Sequence, residues 1–141
     1  MKKFIFTIIL GVSLNAGVYT NQLIKCMVKN TTPQNITTLK KWMFFAFAQD
    51  SDLKKYAKIS LKDKKEVNKE MGKYVTKLLT DKCAAELKNA VKYEGAKSIS
   101  IAFEYLGRIA GSAITSSPDV KLFFSDLTKY VDMKKLDKIL K

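Results

Sequence analysis

The chain contains no histidine among its 141 residues. That one absence removes the commonest general base, the commonest transition-metal ligand and the usual switch near neutral pH. Cys26 and Cys83 are then the only soft ligands left, so a structural zinc site is out of reach and no metal or cofactor is expected. Arginine is almost missing as well. Arg108 stands alone and every other base is lysine, which argues against sequence-specific recognition of DNA or RNA, where the bidentate arginine fork dominates. Strand signals are lacking: no run alternates in strict twos between turn residues. There is no phosphate-cradling glycine loop, no G-x-S-x-G elbow, no paired-carboxylate constellation and no Cys–His partnership. Lysines are frequent enough for a serine–lysine dyad to be drawn on paper, but no spacing selects one. The chain therefore reads as non-enzymatic, with no catalytic residue assigned.

What is present is a core-sized apolar content and a large positive charge. At 47% hydrophobic residues the length suits one domain with a real core. The 26 Lys+Arg against 13 Asp+Glu leave a formal charge of +13. A diffuse lysine coat favours anionic partners, such as phospholipid head groups or acidic envelope polymers, although a merely solvated surface accounts for it too.

The chain is organised around Asn30–Ala48. Thr32 and Pro33 read as an N-cap residue and a proline at the first helical position. Ile36, Leu39, Met43, Ala46 and Phe47 recur at helical spacing, and Trp42, Phe44, Phe45 and Ala48 fill the other sides. A helix apolar all round is expected to be wrapped by neighbours, with Lys40 and Lys41 as its only wet stripe. WMFFAF as core is the plainer reading and an aromatic ligand pocket the sharper one.

Upstream, residues 1–17 have the build of a cleavable export signal. Lys2 and Lys3 form the positive n-region, Phe4–Leu14 the apolar h-region, and Asn15-Ala16-Gly17 the small residues for cleavage after Ala16 or Gly17. The apolar run is short for a membrane span, so an uncleaved anchor is the lesser alternative. Loss of the two signal lysines lowers the charge from +13 to +11. The mature chain, 18–141, is expected in the periplasm or secreted. In an oxidising compartment two cysteines most simply form one disulfide, Cys26–Cys83; two unlinked buried thiols are the alternative. The bond would close a loop of 58 residues, a constraint of about 4 kcal/mol in the chain-entropy model.

A bundle of about six helices follows from the patterning. Tyr19–Val28 is a short helix with Leu23, Cys26 and Met27 on one face, and Asp52–Lys58 another, with Leu53 and Tyr56 or Ala57 inward. Ser60 and Asp63 form a capping-box variant before Leu61–Leu79. That segment carries Val67, Met71, Tyr74, Val75 and Leu78 on one side and a lysine ladder, Lys62, Lys65, Lys69, Lys73 and Lys77, on the other. Glu66 and Glu70 stand among these lysines for i,i+4 pairing. The ladder is a wet face or an anion-binding face. Thr80 caps a helix over Asp81–Tyr93 that Gly95 ends. Ala96–Thr115 repeats apolar residues at three- and four-residue steps from Ile99 to Ile114. Its Gly107 and Gly111 suggest a closely approached backbone, against the Trp42–Phe47 face or beneath a groove shared with Trp42 and Phe45 that takes a partner or a small apolar ligand. Glu104 and Arg108 are spaced as a surface pair. Ser117 caps a helix begun by Pro118, with Val120, Phe123, Phe124, Leu127, Tyr130 and Val131 as its stripe. Asp132 caps a closing helix with Leu136, Ile139 and Leu140 inward.

The segments CMVKNTT, LKKWMFFAFA, LLTDKC, IAFEYLG and Tyr130-Val131-Asp132 together resemble a group of small exported helical proteins of Gram-negative bacteria. The resemblance spans the chain from about Cys26 onward and implies export, helicity and the cysteine pair, but no activity and no functional residues. Size and architecture are also similar to periplasmic immunity proteins that neutralise toxins from neighbouring cells. The function expected is accordingly docking of another protein, immunity-type neutralisation being one version. The alternative is binding of anionic lipid or envelope polymer through the lysine faces.

Overall fold

The computed structural model describes residues 16–141. Most of the expected export signal, residues 1–15, lies outside the described residues. The described chain is all-helical, with no strand: α1 Val18–Lys29, α2 Pro33–Phe47, α3 Leu61–Thr76, α4 Ala84–Glu94, α5 Lys97–Thr115, α6 Pro118–Asp126 and α7 Met133–Leu140. No helix among these residues is long and apolar enough to cross a membrane.

The helix starts follow their side chains. Thr32 Oγ1 accepts from the Asn35 amide at 3.2 Å while Asn35 Oδ1 accepts from the Thr32 amide at 2.9 Å, so two orphan donors are met before Pro33 opens α2. Ser60 and Asp63 do the same for α3, at 3.0 and 3.1 Å. The Ser60 hydroxyl and amide hold the Asp63 carboxyl below its ordinary range. Gly95, at φ +84°, ends α4 in a backbone conformation that a side chain would strain.

Packing proceeds pairwise: α1 lies against α4 and α5, α2 against α3 and α5, and α4 against α5. The core between them is made of Leu23, Met27, Leu39, Met71, Tyr74, Leu78, Cys83, Ala102, Leu106 and Ala110. Alanines on α5 let the other helices approach closely. The Cys26 and Cys83 sulfurs are 2.04 Å apart, at disulfide distance, and join α1 to the start of α4. Next to this link, Thr31 Oγ1 donates to the Met27 carbonyl and meets Tyr74 Oη at 2.7 Å, which ties α3 to the α1–α2 junction. Burial pushes the Tyr74 phenol up.

Several expectations are corrected. The Asp52–Lys58 segment forms only a single 3-10 turn at Lys54–Tyr56, with Leu53 and Tyr56 exposed. Thr80 does not cap a helix, because α3 runs on through a π-helical turn, Lys77–Lys82; its hydroxyl turns back to the Thr76 carbonyl, and the new helix starts after Cys83. A π turn lengthens each hydrogen-bonded ring by one residue, from i→i−4 to i→i−5. The Cys83 amide accordingly bonds five residues back, to the Leu78 carbonyl. Helix α2 is not wrapped: Leu39 is its one buried residue, since among the described residues it packs mainly against α3 and α5 and its far side, Phe44 and Phe47, meets solvent. Ser117 occupies the cap position of α6 without a side-chain cap bond. Arg108 lies over the Tyr105 ring at 5.9 Å and forms no ion pair with Glu104 among the described residues. The largest correction concerns α6 and α7. Neither has a buried residue, so Leu136, Ile139 and Leu140 do not point into the core.

Candidate functional site

Three surfaces emerge from this arrangement. The first is the C-terminal arm, residues 118–141. On α6 and its 3-10 continuation Leu127–Tyr130, the residues Val120, Phe123, Phe124 and Leu127 follow the i, i+3, i+4, i+7 pattern of a helix face that enters a groove. Phe123 is 74% exposed, Phe124 54% and Leu127 64%. Helix α7, capped by the Asp132 carboxylate on the Lys135 amide at 3.1 Å, adds Leu136, Ile139 and Leu140 on one side. Its lysines, Lys134, Lys135, Lys138 and Lys141, occupy the other. The sequence reading turned Leu136, Ile139 and Leu140 inward and gave α6 an apolar stripe, because such a stripe looks the same whether the body or a partner covers it.

The second surface is the C-terminal end of α2. Phe44 and Phe47 are exposed, and Trp42, Phe45, Ala46 and Gln49 face Lys64, Val67 and Asn68 of α3 across a shallow cleft of about 180 Å³. Trp42 Nε1 donates to Asn68 Oδ1 at 2.9 Å, which fixes the indole plane at the cleft wall. The volume is below that of a typical small-molecule site. Trp42 and Phe45 thus share a cleft with α3, whereas Gly107 and Gly111 do not line it. A methyl group built on either glycine would meet nothing within 4 Å. The expected close approach over these glycines is therefore absent, and the four residues do not form one groove. Asn68 had no sequence signal beyond a polar position on α3.

The third surface is the lysine ladder. Lys62, Lys65, Lys69 and Lys73 lie exposed along α3 and Lys77 at the start of the π turn. Neutralisation is slighter than the sequence suggests: Glu66 meets only Lys62, at 4.0 Å, and Glu70 turns across to Lys41 of α2 at 3.1 Å. Lys65, Lys69, Lys73 and Lys77 make no ion pair among the described residues. Those residues also contain no group of three His, Cys, Asp or Glu placed to hold a metal.

Comparison of the chain with protein-family models, with curated proteins and with solved structures finds no match. The functional reading accordingly rests on this chain's own geometry.

Proposed function

We propose that this chain is an exported, non-enzymatic helical protein that docks another protein through the apolar face of its C-terminal arm. The single observation that carries the reading is the exposure of Phe123, Phe124 and Leu127 on a helix face at groove-entering spacing. A disulfide-distance pair pinning the body gives the arm a rigid base. The arm itself balances six lysines with four aspartates, so apolar contact rather than charge would supply its affinity. Exposed aromatic residues of this kind act as anchors at protein interfaces. Toxin neutralisation of the immunity type is one version of this activity.

The test is capture from an envelope extract by the exported chain, compared with a Phe123→Ser/Phe124→Ser variant of unchanged helicity. Loss of a stable partner on substitution supports the reading. Capture that is equal in both variants removes the arm from the interface.

The lysine face of α3, on which Lys65, Lys69 and Lys73 make no ion pair among the described residues, favours a second reading, adhesion to anionic lipid or envelope polymer. Binding of phosphatidylglycerol vesicles should then fall steeply as salt rises. Binding equal at low and moderate salt would dispose of it.

A further inference from the structure

At the start of α1 a carboxylate from the far end of another helix closes the first turn. Glu94, the last residue of α4, accepts from the Tyr19 amide at 2.7 Å, from the Thr20 amide at 3.0 Å and from the Thr20 hydroxyl. Gly17 is pressed against this group. A methyl carbon built on its Cα would lie 2.5 Å from the Glu94 carboxyl carbon, so any larger residue would push the carboxylate off its partners. Yet Glu94 has no cation: no lysine or arginine forms an ion pair with it among the described residues. Next in sequence to these partners, the Tyr19 and Tyr93 rings stack with centroids 4.6 Å apart, and Lys92 Nζ lies over the Tyr93 ring at 5.1 Å without forming an ion pair with Glu94.

We infer that the missing cation is the chain's own new N-terminus: cleavage between Ala16 and Gly17 frees an α-ammonium group that docks on Glu94. Hydrolysis of that peptide bond by a leader-removing peptidase consumes one water and leaves a carboxylate on Ala16 and an ammonium on Gly17. The ammonium nitrogen is the atom that was the amide of Gly17, the residue pressed against the Glu94 carboxylate, and it now offers more donors and a full charge. Cleavage one residue later is disfavoured by the same geometry. The Gly17 carbonyl accepts from the Asn21 amide at 3.0 Å as the first backbone bond of α1, and a chain beginning at Val18 would lose it. Leader removal would thus exchange the contact of the Asn21 side chain with the Ala16 carbonyl, 3.2 Å, for an ammonium–carboxylate pair at the head of α1, and keep the first backbone bond of the helix.

The inference rests on the export reading and is independent of any docking partner. Its test begins with the mass of the exported protein, expected to start at Gly17. The α-amine of the folded mature chain is then acylated near neutral pH with a water-soluble ester, and the site is quantified by peptide mass spectrometry. A shift of one pKa unit in the amine corresponds to about tenfold slower acylation than in Glu94→Gln. A chain that retains Ala16 keeps every backbone cap but displaces the amine, and should react as fast as Glu94→Gln. Should Glu94→Gln fail to fold, the pair starting at Gly17 and at Ala16 gives the comparison alone. A full-length mass overturns the export reading and this inference together. A processed chain starting elsewhere, or equal acylation rates in the folded chains, overturns the inference only.

Discussion

Glu94 and Thr20 lie 74 positions apart in the chain, yet the Glu94 carboxylate receives both the amide and the hydroxyl of Thr20. One acidic side chain thereby caps a helix that has no acid in its own first turn.

The Thr20 hydroxyl, followed by the Thr20, Tyr19 and Gly17 amides, holds the Glu94 carboxyl below its ordinary value of 4.5. A carboxyl lowered on folding contributes stability that is fully present above its unfolded value and is lost as pH falls through the lowered folded value. Thermal melts from neutral to acid pH should show midpoints falling below about pH 4.5. In Glu94→Gln that acid-dependent loss should shrink. An identical pH profile in both proteins would exclude Glu94 as a contributor.

Reduction should loosen the body. The Cys26–Cys83 link spans 57 positions, and a loop of that size corresponds to about 4 kcal/mol in the chain-entropy model. Denaturant midpoints with and without reductant measure it. A Cys26→Ala/Cys83→Ala variant should match the reduced protein.

Tyr74 and Thr31 share a hydrogen bond beneath the α1–α2 junction. Tyr74→Phe should cost about 1 kcal/mol, as should Thr31→Val, and the double substitution should cost less than their sum. Equilibrium unfolding of the four proteins reads the coupling directly, and strict additivity would show the bond to be worthless.

Leu106 and Phe123 are both large and apolar but should respond oppositely to truncation. Leu106 is 1% exposed within the core, so Leu106→Ala should destabilise by roughly 3 kcal/mol. Phe123→Ser, on the open arm, should change stability by less than about 0.5 kcal/mol while improving solubility. A stability loss at Phe123 comparable to that at Leu106 would mean that the arm folds back on the body in solution.

Local chemistry was legible from the residues alone. The Thr32–Pro33 and Ser60–Asp63 starts, the Gly95 stop, the α-helical class and the inward faces of α1, α3 and α5 depend on side chains within a few positions of one another. Their hydrogen bonds and periodicity are written in the order of the chain. The pairing of Cys26 with Cys83 was equally the simplest use of two cysteines. What covers an apolar stripe is a different kind of fact. Phe44 and Phe47 on α2, and Phe123 and Phe124 on α6, sit in the same kind of helical pattern as the buried Leu106 on α5, yet they meet solvent. Periodicity reports that a helix has an apolar side and is silent on which neighbour reaches it. Tertiary packing alone decided that α2 sits at an edge, that Trp42 faces Asn68 and not Gly107, and that Glu94 reaches Gly17 and Thr20. Each of those contacts joins residues whose separation in the chain leaves no local signature.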